Sequence, residues 1–265
     1  MVTPAGDAGA NAAHALAVRI AHAGPRPAGS HGEGRAHAIL LGRFRRAGLR
    51  VEVQRFAVPG RGRSRNVIGI RDTPGDCLRL VMAHADSVPG TQGANDNASS
   101  LGVVGALASR LPRISPGCDV WLVATGAEER RYTGSPDHLG ALALARRIRA
   151  RGGRSRLHWA LSLDEVGRDR PFWLRSPVPA PRRRVERSLL AAARRARVPV
   201  SWVRDSGSGN SDHREFELLG MPAAKLGVGA GGEPCRHSPC DTPDRLDPVS
   251  LRLARRFAEA ALGAR

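Results

Sequence analysis

The sequence predicts an α/β protein, a three-layer α/β/α sandwich with a mixed, mainly parallel central sheet of about eight strands. Two observations carry that prediction. Apolar, β-branched runs bounded by Gly, Pro or Asp recur eight times along the 265 residues, and stretches rich in Ala, Leu and Arg with helical spacing lie between most of them. Strands that alternate with helices pair in parallel and are covered on both faces.

Taken in order, the first helical stretch covers residues 10–22 and the second 33–47. Two strands follow at 50–56 and 65–72 with only the loop from Val58 to Ser64 between them, which predicts an antiparallel hairpin at one sheet edge. A strand at 78–84 leads to a helix at 98–111, one at 119–125 to a helix at 137–151, and one at 158–164 to a further strand at 171–176. Helix 183–196, strand 198–204, helix 212–219, strand 222–228 and helix 248–263 complete the alternation. Asp247 before Pro248 is the N-cap of that last helix, with proline at its first position. No internal repeat and no linker-like stretch interrupts the pattern, so residues 1–265 form a single domain, with 1–9 flexible.

Composition limits the partners. With 41% hydrophobic residues and no run of 18 apolar positions, no membrane span is expected. The N-terminus has neither a basic n-region nor an apolar h-region, which points to the cytoplasm. The net charge of +18 is nearly all arginine, since Lys225 is the only lysine. Such a charge attracts polyanions, yet the arginines are spread along polar helix faces and only ten aromatic residues are available for base stacking. Nonspecific polyanion binding is therefore expected and a specific nucleic-acid function is not. Four cysteines lack zinc-finger spacing; Cys77 with Cys118, and Cys235 with Cys240, are the pairs that could bridge in an oxidising compartment.

In folds of this class, polar residues just past the carboxyl ends of strands converge on one crevice. The unusual residues of this chain fall there. Leu80 to Ala83 ends at His84-Ala85-Asp86, where a neutral imidazole can bind a metal and the acid two residues on can orient it. Asp96 lies in Gly93-Ala94-Asn95-Asp96-Asn97-Ala98-Ser99, a loop that opens a helix, where an acid could equally be a cap. Glu128 and Glu129 follow the run Val120 to Thr125; on an extended backbone they point to different sides, so one can bind metal while the other faces a water. Asp164 closes the run Leu161 to Leu163, and His237 stands in Arg236-His237-Ser238-Pro239-Cys240-Asp241-Thr242. Each has an ordinary reading alone, as a turn acid or a loop histidine. Together they supply N and O donors suited to zinc, and two such ions about 3.5–4 Å apart could share a carboxylate.

These segments, in this order and with these gaps, resemble the bacterial leucyl aminopeptidase family of dizinc exopeptidases, whose relatives include glutaminyl cyclases. Ser211-Asp212-His213 and Gly24-Pro25-Arg26-Pro27-Ala28-Gly29-Ser30 are similar to further segments of that family. The resemblance implies the zinc exopeptidase fold and two Zn2+ ions. One would be held by His84, Asp96 and Asp164, the other by Asp96, Glu129 and His237, with Asp96 bridging. Glu128 would be the general base, and Asp86 would hydrogen-bond His84 from behind. The implied substrate is a peptide with a free N-terminus, cleaved at its first peptide bond.

The chain departs from that pattern in three respects. Ser100 stands where glycine is usual, residues 206–210 lack the tyrosine and cysteine pair of well-known members, and many relatives are exported. Secretion is thus the alternative location by resemblance. A carboxypeptidase, a deacylase or a one-zinc cyclase on the same centre is the alternative enzyme reading. A basic polyanion-binding protein with a degenerate hydrolase fold is the non-enzymatic one.

Overall fold

The computed structural model describes residues 7–114, 116–168, 170–176, 182–204, 210–229 and 231–263. Its eight strands are β1 (Arg50–Val58), β2 (Gly62–Arg71), β3 (Leu78–His84), β4 (Asp119–Thr125), β5 (Leu157–Asp164), β6 (Phe172–Ser176), β7 (Val200–Arg204) and β8 (Ala223–Gly227). They form one sheet in the order β1-β2-β4-β3-β5-β8-β6-β7. The four central strands, β4, β3, β5 and β8, are mutually parallel. β1 and β2 form the expected antiparallel edge hairpin, while β6 turns against β8 and carries β7 parallel to itself.

The helices are α1 (Asp7–Ala21), α2 (His31–Arg46), α3 (Ser99–Arg110), α4 (Arg130–Thr133), α5 (Leu139–Ala150), α6 (Arg183–Ala196), α7 (His213–Leu218) and α8 (Pro248–Leu262). α1 takes in residues 7–9 of the segment expected to be flexible, because its Ala-rich run extends upstream as helix; residues 1–6 lie outside the described residues. The one-turn α4 is an element that periodicity did not reveal, being too short to show a period.

β3 shows why the sheet is covered twice. Leu78, Leu80 and Met82 enter a cluster with Ala141, Leu144 and Ile148 of α5 and Phe216 of α7, while Val81 and Ala83 enter the larger core with α1, α2, α3, α6 and α8. The period of two sends successive side chains to opposite faces, and both faces are apolar. Every residue of β3 is buried. Truncating Leu80 to alanine would cost about 2–5 kcal/mol. At the end of the chain, Asp247 caps α8 as expected, accepting the backbone N–H groups of Val249 and Ser250.

Both cysteine pairs close as disulfides, Cys77–Cys118 and Cys235–Cys240. The first joins the start of β3 to the strand beside it; the second brackets His237. No helix among the described residues is long and apolar enough to cross a membrane.

Candidate metal centre

The polar cluster lies where the central strands end. The register that pairs Met82 with Ser162 brings His84, the last residue of β3, level with Asp164, the last of β5. His84 Nδ1 donates to the backbone carbonyl of Asp86 at 3.1 Å. That leaves Nε2 directed at Asp96 Oδ1, 3.1 Å away, and Asp164 Oδ1, 3.7 Å away.

Asp96 sits in the irregular turn Ala94–Ala98, pinned by Asp241, which accepts the backbone N–H groups of Asn95 at 2.7 Å and Asp96 at 3.0 Å. Its other carboxylate oxygen, Oδ2, lies 3.2 Å from His237 Nε2, and Glu129 Oε2 lies 3.0 Å from the same nitrogen. Two donor triads thus share one carboxylate: His84, Asp96 and Asp164, and Asp96, Glu129 and His237. All the residues expected at the centre are brought together.

The turn after β4 is built to aim the two glutamates apart. A Cβ on Gly126 would sit 2.2 Å from Ser64 Oγ and 2.6 Å from Glu33 Oε1, so only glycine fits. Ala127 adopts a left-handed φ of 53°, at a strain of about 1–3 kcal/mol, while its N–H donates to buried Glu33 at 3.1 Å. Beyond it, Glu129 faces His237, and Glu128 Oε1 lies 3.3 Å from His138 Nε2.

Asp86 does more than stand behind His84. Its carboxylate is 3.6 Å from His84 Nδ1, while its two oxygens accept the backbone N–H groups of Glu128 and Glu129, each at 3.0 Å. The histidine is steadied by the Asp86 carbonyl, the closer acceptor, with the carboxylate beside the same nitrogen. The side chain also ties the end of β3 to the glutamate turn.

Several residues escaped sequence reasoning. Lys225 donates to Asp164 Oδ2 at 2.7 Å; its signal was its being the only lysine among 42 basic residues. His138 is held through Nδ1 by Glu215 at 3.0 Å. Arg236 pairs with Glu165 and so ties the His237 loop to the segment after β5. Arg26 is wholly buried and donates to the carbonyls of Ala85, Gln92 and Gly93 at 2.9, 2.5 and 2.9 Å. It explains the proximity of the segment Gly24 to Ser30: the guanidinium joins the loops on either side of the cluster. Such residues carry no local pattern, since their partners lie 60 or so positions away. In Ser211-Asp212-His213, Asp212 accepts a hydrogen bond from Thr125 Oγ1 at 2.5 Å beneath the centre. Of the departing stretch 206–210, residues 206–209 lie outside the described residues.

The electrostatics draw positive charge to this spot. Burial, followed by the neighbouring Asp96 charge, pushes Glu129 up to about 7. Burial likewise pushes Glu128 well up, only partly offset by His84. Hydrogen bonds to Asp96 and Glu129 raise His237 to about 10. Burial opposes the charge of Asp164, but Lys225 and His84 outweigh it and hold the carboxyl well below its usual range. Glu129 Oε1 is buried with no hydrogen-bond partner among the described residues. An acid-rich, buried donor set with an orphaned carboxylate oxygen and two imidazole Nε2 atoms turned inward fits divalent ions, and the imidazoles favour zinc over magnesium. A cavity of about 200 Å³ opens onto both triads and Glu128.

Fold and donor set together define a class: an α/β/α sandwich with a candidate two-metal centre at the carboxyl ends of its parallel strands. The profile of Peptidase family M28 matches residues 66–262, and the chain belongs to that family. Aminopeptidase YwaD of Bacillus subtilis (strain 168) is 28% identical over 215 residues, 75% of this chain and 44% of that protein, so the chain spans less than half the length of this curated relative. Among solved structures, the zinc aminopeptidase BSAP from Bacillus subtilis superposes with a TM-score of 0.83 at 18% identity, covering 95% of this chain and 93% of that one. A glutaminyl cyclase of Bacteroides thetaiotaomicron bound to N-acetylhistamine gives 0.80 at 18%, covering 97% and 98%. At these identities the likeness is one of fold, and the fold is that of the zinc exopeptidases.

Proposed function

We propose that the chain is a zinc-dependent aminopeptidase, a single catalytic domain that removes the first residue of peptides with a free N-terminus. One observation carries the reading: the oxygens of Asp96 face two different histidines, Oδ1 at 3.1 Å from His84 and Oδ2 at 3.2 Å from His237. A carboxylate set between two histidine-containing triads is what a pair of ions sharing a ligand requires. His84, Asp96 and Asp164 would hold one ion, and Asp96, Glu129 and His237 the other. When bound, the metal pair polarises the scissile carbonyl and lowers the pKa of water.

The chain's own residues do the rest. Glu128 lies beside His84 and Glu129 and lines the cavity, where its carboxylate can take a proton from water and pass it to the departing amine. His138, anchored by Glu215, orients that carboxylate. Asp86 holds the glutamate turn, and Lys225 leaves Asp164 a single outward oxygen.

The two disulfides support an oxidising compartment, in favour of the secreted alternative and against the cytoplasmic expectation.

The test is Glu128→Ala assayed on amino-acid anilides. Hydrolysis should fall by at least about 100-fold, the scale of a general base, with zinc content unchanged near two per chain. Activity close to that of the unaltered protein would remove Glu128 as the base. Cleavage of an N-acetylated peptide at the rate of the free one would instead favour a deacylase or carboxypeptidase.

A further inference from the structure

Lys225 stands apart in both composition and position. It is the only lysine among 42 basic residues, and it lies in the middle of β8, 4% exposed. It nevertheless lines the same cavity as Glu128, His84 and His237. Nζ donates to Asp164 Oδ2 at 2.7 Å, while Oδ1 of that carboxylate lies 3.7 Å from His84 Nε2. The ammonium therefore sits one carboxylate's width from the point that His84, Asp96 and Asp164 surround.

An ammonium has three donors. Asp164 is the one side chain it bonds among the described residues, which leaves donors for the cavity. Arginine, used almost everywhere else in this chain, would present a broad planar fork. Lysine concentrates its charge at one compact, rotatable point, suited to a single oxygen. Neutralising Asp164 alone would not require Lys225 to line the cavity.

We propose that Lys225 is a catalytic residue that donates a hydrogen bond to the oxygen of the scissile carbonyl as negative charge develops on it. This rests on the peptidase reading. In the addition step the water oxygen bonds to the carbonyl carbon, Glu128 takes a proton from that water, and the π pair of the C=O bond moves onto the oxygen facing Lys225. In the collapse that pair returns, the C–N bond breaks, and the amine leaves with the proton Glu128 held. A fixed cation is worth most in a site with little water, since its orientation is already set when the charge appears.

The experiment uses the zinc-loaded protein. Lys225→Met and Lys225→Gln should each lower kcat on an amino-acid anilide by about 100- to 1,000-fold, as for loss of one oxyanion donor, with KM and zinc content little changed. A kcat within about threefold of the unaltered protein, or a loss of zinc that accounts for the lost rate, overturns the proposal; the second result makes Lys225 a counter-charge for Asp164. Should both variants fail to fold, the unaltered protein still decides. A single lysine gives a single side-chain ammonium resonance after 15N-lysine labelling, and an α-aminophosphonate mimic of the tetrahedral species should shift it. An unmoved resonance at saturating mimic overturns the proposal. Failure of the unaltered protein to cleave any anilide would strike the peptidase reading itself and is seen before any variant is made.

Discussion

The carboxylate of Asp86 accepts the backbone N–H of Glu128 at 3.0 Å, and its second oxygen takes that of Glu129 at the same distance. A wholly buried acid thus spends both oxygens on the turn that aims Glu128 one way and Glu129 the other. Replacing it by Asp86→Asn would put an amide N–H against a backbone N–H. The expected outcome is a loss of about 1–3 kcal/mol of stability and a 10- to 100-fold loss of zinc affinity or activity. Urea titration and zinc binding measured on the same variant check it; unchanged zinc affinity would show that the turn holds without the clamp.

Arg26 binds three backbone carbonyls from the loops on either side of the centre. Arg26→Met fills much of the same volume but leaves those carbonyls without their donor. We expect a stability loss of at least about 3 kcal/mol, read as a lower urea midpoint at unchanged slope.

Chelation should make stability strongly pH-dependent. Glu129, raised from 4.5 to about 7, and His237, raised from 6.5 to about 10, are both held protonated by the fold relative to the unfolded chain. Groups with raised values contribute stability in full below their unfolded pKa and lose it as pH rises through the folded one. With EDTA present, Tm should therefore fall steadily between about pH 5 and 9. In acid, Asp86, Asp96 and Asp164 are held below 3.8, so their contribution disappears as the pH drops beneath that value. Zinc needs deprotonated ligands, so the Tm gain on adding it should be larger at pH 8 than at pH 5. A gain independent of pH would falsify this account.

The disulfides differ in what they protect. Cys77–Cys118 closes a loop with a sequence separation of 41, which predicts a loss of about 4 kcal/mol on breaking it. Cys235–Cys240 spans only five positions but encloses His237. Cys77→Ser with Cys118→Ser should lower Tm with little effect on zinc content, whereas Cys235→Ser with Cys240→Ser should lower zinc content more than Tm. Calorimetry with metal analysis on the two double variants separates these effects; equal zinc loss in both would deny the short loop its role.

The eight strands and all the helices but the one-turn α4 were legible, the strands because each buried one needs an unbroken apolar run, and β3 to β5 have one between clear turn residues. The edge hairpin was legible from the short loop alone. The second role of Asp86 was not: His84-Ala85-Asp86 suggests a side-chain pair, and only the chain's path past residues 128 and 129 shows that backbone donors use the same carboxylate. In the sequence Lys225 is distinguished only by composition, because nothing near it announces Asp164, some 60 positions upstream.

What the sequence determined by itself was the alternation of strand and helix and the identity of the donor-type residues at strand ends, since periodicity and residue chemistry are local properties. The tertiary structure alone decided that Asp96 stands between His84 and His237, that Arg26 and Asp241 pin the loops, and that the four cysteines pair. Those are relationships between distant segments, created only when burial of both faces of the sheet sets the strand order and brings their ends to one crevice.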